Sequence, residues 1–228
     1  RAATLQHGAA LFVLTFAAVQ LWSAKHPATP TGWLGLSWLP KAAMFGWLVF
    51  LASYLAYPIY ADHVEGSAVV IGLHLRQGQP IYPMVHDYGM AGLLYGPLLP
   101  MLNALAVSAP IDPVLATKLL AATALLTAIA LTAFNLPDRR AWLYLMFLAP
   151  YDMLAYNRAE PYLLLLTALA CHCAHVKGVG LRALILGCLA GLAAALKLHG
   201  VLYIVAAYVL VMPREQQLRQ IMVAAIGA

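Results

Sequence analysis

Apolar residues run along this chain in long blocks separated by short polar breaks, without the alternation of a half-buried strand. Continuous apolar segments lie at 8–22, 42–60, 90–108, 114–134, 141–156, 161–176, 183–200 and 201–212, and another opens near 217. A membrane helix needs about 20 residues, so the pattern predicts an all-α, polytopic transmembrane bundle of about seven or eight membrane segments, with residues 1–228 as a single transmembrane domain. Several segments are short, as in bundles whose helices break or re-enter beside a cavity. Segment 8–22 reads as a short span or as a signal-like apolar region. The chain opens at Arg1 without a methionine and stops at Ala228 inside an apolar run, so it reads as the N-terminal part of a longer protein.

Composition agrees with an integral membrane protein. Hydrophobic residues make up 64% and charged residues 9%, against about 25% charged in a typical soluble domain. The net charge of +5 does not point to nucleic acid, because the basic residues stand singly or in pairs between apolar runs. They read as topology signals. Loops carrying Lys25 and Lys41, Arg139 and Arg140, Lys177 and Arg182, and Arg214 and Arg219 are assigned to the cytoplasm. The connections 61–89, 109–113, 157–160 and the turn at Lys197 then face outward, with Asp62, Glu65, Asp87, Asp112 and Glu160. Parity requires that 90–108 or 114–134 fail to cross. Pro97 and Pro100 each remove a helical hydrogen bond, so 90–108 is expected to be re-entrant or only partly inserted. The cysteines Cys171, Cys173 and Cys188 suggest neither a disulfide framework nor a zinc ribbon.

The outward loop carries the most chemistry. Asp62, His63 and Glu65 follow directly on an apolar segment, at the lip of the membrane, where ionisable groups are expensive and usually functional. Asp62 and Glu65 are three apart, which puts both on one face of a helix and near its positive N-terminus. An acidic helix start at an interface explains them equally well. Residues 67–77 are apolar but too short to span, and suit a helix lying in the interface plane. Gln79-Pro-Ile-Tyr-Pro83 reads as extended chain. Tyr82, Tyr88 and Tyr95 suit an aromatic belt at headgroup level.

An acid after an apolar helix, an Glu-Gly…Gly-x-Pro-Ile-Tyr run over 65–82, and Tyr95-Gly-Pro-Leu98 together resemble the first external loop of GT-C glycosyltransferases. That group includes the protein O-mannosyltransferases and the aminoarabinose transferases. Asn157-Arg-Ala-Glu-Pro161 resembles the family's second outward acidic motif, and Ala195-Leu-Lys-Leu-His-Gly200 its Lys-x-x-Gly step. The resemblance covers roughly 42–212 and implies hexosyl or pentosyl transfer from a polyprenyl-phosphate donor, on the outer face of the membrane, of bacterial inner-membrane type. Asp62 matches the first acid of the family's Asp-Glu pair, but His63 stands at the second position and Glu65 follows. Either acid could be the catalytic base, and Glu160 is a third catalytic candidate.

A lipid-phosphate leaving group needs a cation near it and a carboxylate on the acceptor side. Arg158, Lys197 and His199 are candidates for the first, with His63, Tyr82 and Tyr95 as further substrate contacts. Lys197 could equally be a lysine snorkelling from its helix end, and Arg158 with Glu160 a local capping pair. No cofactor is called for, although carboxylates beside a histidine could hold a divalent cation. Cys171-His-Cys-Ala-His175 has metal-binding residue types, but 171 and 175 share a helix face that 172 and 173 do not. No Gly-x-Ser-x-Gly, Walker A or dinucleotide fingerprint is present. A polytopic transporter is the alternative class. It would place its charges near the midplane between repeated halves, whereas here they cluster at one face and no repeat is visible. The expected partners are the lipid-linked donor, the bilayer and an acceptor whose identity the sequence leaves open.

Overall fold

Proline, aspartate and glycine mark several of the helix ends in this chain. The computed structural model describes residues 38–81, 95–135, 156–173 and 176–211, and these form seven helices without strands. Helix α1 (Trp38–Ala56) stops just ahead of Pro58, whose ring disfavours helical backbone at Tyr57. Helix α2 (His63–Arg76) opens with a capping box: the Asp62 carboxylate accepts the Val64 and Glu65 N–H groups, and the Glu65 side chain returns to the Asp62 N–H. It closes at Gly78, whose φ of 79° lets the Gly78 and Gln79 N–H groups reach Leu75 and His74 carbonyls. Asp112 caps α4 (Pro113–Asn135) by accepting the Leu115 N–H at 2.9 Å, with proline in the first helical position.

Within the segment 90–108, the described residues form α3 (Leu98–Ala106). Nine residues rise only about 13 Å, far short of the hydrocarbon core. The prolines act differently from the sequence expectation. Pro97 is the N-cap residue and Pro100 lies in the first turn, positions whose N–H groups have no helical partner, so both start the helix rather than break it. Helix α3 packs along α2, and Gly72 is the point of closest approach: a Cβ there would come within 2.9 Å of the Ala104 nitrogen and 3.0 Å of the Pro100 carbonyl.

Helix α5 (Ala159–Cys173) is central, in contact with α4, α6 (Val179–Leu196) and α7 (Gly200–Val211). Small residues permit this. Ala121, Ala159, Ala170 and Ala193 are fully buried together with Leu99 and Leu196. A second cluster joins Trp47, Leu51 and Tyr54 of α1 to Ala122 and Leu125 of α4.

Among the described residues two helices, over Pro113–Thr132 and Val179–Leu196, are long and apolar enough to cross a membrane, while Phe45–Ala56, Ala159–Cys173 and Gly200–Val209 are shorter apolar stretches. Arg182, assigned to a loop by sequence, instead lies in the first turns of α6 and is buried. The candidate segments 8–22, 141–156 (Tyr156 apart) and the one near 217 fall outside the described residues, as do Tyr82, Tyr88, Asp87 and the Arg139-Arg140 pair.

Candidate functional site

The connections 57–62, 95–97, 156–158 and 197–199 meet at one end of the bundle. Three contacts fix this. The Lys118 ammonium, near the start of α4, donates to the carbonyls of Tyr54, Tyr57 and Ile59 at the end of α1, each at 2.8 Å. The Asn157 N–H, ahead of α5, donates to Glu65 Oε1 at 2.7 Å. The Gly96 N–H donates to the Leu196 carbonyl at 2.8 Å.

Four of the charged residues singled out by sequence form two ion pairs here. Asp62 caps α2 with Oδ1, leaving Oδ2 to pair with the Arg158 guanidinium. Lys197 Nζ lies 2.5 Å from Glu160 Oε1 and 4.9 Å from the centre of the Tyr95 ring. Tyr95 stands between the pairs, with its phenol raised above its ordinary pKa first by burial and then by the Glu160 carboxylate, with smaller opposing influences from Arg158 and Asp62. It is a neutral hydroxyl at physiological pH. Both pairs are partly accessible, with side-chain exposures of 9% and 20% for Arg158 and Asp62 and 19% and 21% for Lys197 and Glu160. Arg158 Nε and Glu160 Oε2 are buried without a hydrogen-bond partner, an arrangement that normally costs about 1–3 kcal/mol per group.

Glu65 is elsewhere. It is fully buried and has no open lone pair facing the ion pairs: Oε1 accepts the Tyr54 hydroxyl and the Asn157 N–H, and Oε2 accepts the Ala61 N–H at 2.8 Å and the Asp62 N–H at 3.4 Å. The two carboxylates that share a helix start by spacing therefore occupy different environments, one at the surface of the cluster and one beneath it. His63 is exposed at the start of α2, and His199 is exposed with its ring 6.0 Å from that of Tyr203. No contact joins either histidine to the ion pairs. Among the described residues no three His, Cys, Asp or Glu side chains gather as a metal site. Cys171 and Cys173 are buried, and His172 is exposed.

Beneath the pairs lies a polar network that the sequence reading did not single out. Asn157 Nδ2 donates to Asn103 Oδ1 at 2.8 Å, and the Tyr162 hydroxyl donates to Asn157 Oδ1 at 3.3 Å. Tyr54 joins it through Glu65, and Lys118 through the Tyr54 carbonyl. Lys118 had a legible signal, a lone lysine inside an apolar run. Nothing in the sequence marks Asn103 and Asn157 as partners, since the bond between them crosses 54 residues and that from Asn157 to Glu65 crosses 92.

No known protein family, no characterised protein and no solved structure matches this chain.

Proposed function

We propose that this chain is a multi-pass membrane glycosyltransferase of the GT-C type, moving a hexosyl or pentosyl group from a polyprenyl-phosphate carrier to an acceptor on the extracytoplasmic face. One observation carries the reading: Asp62, Arg158, Glu160 and Lys197, drawn from separate segments, converge around Tyr95 as two partly accessible ion pairs. That set supplies both halves of the chemistry. The acceptor's nucleophilic atom bonds to the anomeric carbon as the bond from that carbon to the carrier phosphate breaks. The acceptor proton passes to Asp62, and Arg158 and Lys197 take the charge that grows on the departing phosphate. Burial of Glu65 favours Asp62 as the base. The unpartnered Arg158 Nε and Glu160 Oε2 are polar atoms that a sugar phosphate could satisfy.

Exposed apolar surface supports the membrane setting. Leu181, Leu184 and Leu192 on α6, and Leu202 and Val205 on α7, lie open on the outside of the bundle, as suits helices facing lipid. A non-crossing α3 is also what the expected parity of the chain calls for. With α1 and α4 crossing on either side of the α2–α3 pair, the basic 135–140 loop returns to the side opposite the acids, in keeping with the positive-inside rule.

The test is sugar transfer by the full-length protein in proteoliposomes supplied with polyprenyl-phosphate sugars. Asp62→Asn keeps the volume and the Oδ1 cap on α2 but cannot accept the proton and no longer pairs with Arg158, so the rate should fall by about 10²–10⁴. Lys197→Ala should weaken donor affinity as well as rate. Solute uptake lost in both variants, with no transfer by the wild type, would instead make the chain a transporter.

A further inference from the structure

Glu65 collects four hydrogen bonds from three elements, one of them distant in sequence: the Tyr54 hydroxyl from α1, the Ala61 and Asp62 N–H groups from the turn before α2, and, 92 residues on, the Asn157 N–H from the turn before α5. Asp62 is itself one of these donors, and Arg158 is the immediate neighbour of another. We propose that Glu65 is a positioning residue, a buried clamp that holds the Asp62 turn and the Arg158 turn against each other and thereby sets the geometry of their ion pair. What the pair does rests on the glycosyltransferase reading; the clamp itself does not.

Helix capping alone does not account for this arrangement. The reciprocal bond of the capping box, from Asp62 N–H to Glu65, is the longest of the set at 3.4 Å, whereas the bond that crosses 92 residues to Asn157 is 2.7 Å. Glu65 also serves a frame that is fixed elsewhere. The Tyr54 carbonyl is held by Lys118, and the Asn157 side chain by Asn103 and Tyr162. The chemistry selects a carboxylate, because an ionised one has acceptors only. Glutamine at this position would replace one acceptor oxygen with an NH₂ donor. The Tyr54 hydroxyl can rotate to accept from it, but peptide N–H groups cannot turn round. Whichever way the amide lies, its NH₂ faces the Asn157 N–H on one side or those of Ala61 and Asp62 on the other. One of the two turns is repelled, and the ion pair above it loosens.

A measurement on the intact chain in detergent tests this without any substrate. A hydrophobic carbodiimide labels accessible carboxyl groups, and peptide mass spectrometry reads the extent at Asp62, with exposed Asp112 as the internal standard. Arg158→Gln is the reference for a freed Asp62. In Glu65→Gln, labelling of Asp62 should rise about tenfold, the change in open-pair population that follows from losing about 1.4 kcal/mol of pairing. Labelling of Asp112 should not move, nor should the helical circular dichroism. Tyr54→Phe, which removes one of the four bonds and also the 3.2 Å bond that the Tyr54 hydroxyl accepts from the Asn157 N–H but leaves the carboxylate in place, should give a smaller rise. The double variant Glu65→Gln, Arg158→Gln should label no more than Arg158→Gln alone, because both act on the same pair. Wild-type labelling in a folded Glu65→Gln protein overturns the proposal, and so does failure of both Glu65→Gln and Tyr54→Phe to fold, which would make the cluster a folding element only. A wild-type chain without transferase activity would refute the reaction and leave the labelling result to decide the clamp.

Discussion

Lys118 is the most consequential single side chain outside the ion pairs, and replacing it with methionine isolates what its charge does. The residue has no solvent exposure. Its ammonium donates to the Tyr54, Tyr57 and Ile59 carbonyls, each at 2.8 Å, and lies 4.3 Å from the Tyr54 ring centre. Methionine keeps most of the aliphatic stem and removes all three donors. The Tyr54 carbonyl retains a longer bond from the Tyr57 N–H at 3.3 Å, so the main loss falls on the carbonyls of Tyr57 and Ile59. These two acceptors are only part-buried, on exposed residues that water can reach, so each counts at the lower end of about 1–3 kcal/mol and the loss is about 2 kcal/mol. For a chain of this size that is a melting temperature lower by about 4–8 °C. Arginine should not rescue it, since a planar fork cannot direct three donors onto carbonyls converging on one point. The assay is thermal unfolding of the purified protein in detergent, followed by circular dichroism. A methionine variant melting within about 2–4 °C of the wild type, a change of only about 1 kcal/mol, would show that the end of α1 does not depend on this cap.

Two further outcomes are expected. Gly96→Ala would place a Cβ 2.2 Å from the Ala195 carbonyl oxygen, so the turn must leave the end of α6 and carry Tyr95 away from Lys197; overpacking of this kind costs about 1–3 kcal/mol, and both thermal stability and sugar transfer should fall. Cysteines replacing Ser67 and Lys177 should react from opposite sides of the membrane with an impermeant maleimide in intact cells, only the first being labelled from outside; labelling of both from one side would refute the topology.

Helices were legible because apolar blocks of this length have few alternatives, and most boundaries shift by a few residues for identifiable reasons. Segment 42–60 loses its last turn to Pro58, and 183–200 starts earlier, at Val179, because Gly178 with φ of 101° marks the break. Arg182 was placed outside its helix because a charged residue reads as a loop; a buried arginine in a first turn has no signature in spacing. The convergence of Asp62, Arg158, Glu160 and Lys197 was foreshadowed by their placement at segment ends of one side. The different environments of Asp62 and Glu65 were not, although Asp-x-x-Glu is a capping-box pattern that assigns the two acids separate tasks. Spacing says which residues share a face. It does not say that one of them will find its partner 92 residues later.

The arrangement of charges around Tyr95 bears on how anything reaches it. Asp62 is paired with Arg158 and Glu160 with Lys197, two of each sign, so the ion pairs carry no net charge. Opposed charges at contact distance act as dipoles, whose field fades faster with distance than that of a single charge, and salt screens what remains beyond about 10 Å. Such a cluster exerts little long-range pull on a charged molecule. Encounter is then governed by diffusion and by fit on contact, and the rate of encounter should vary little with ionic strength, unlike that of a site that gathers its ligand through a field of one sign.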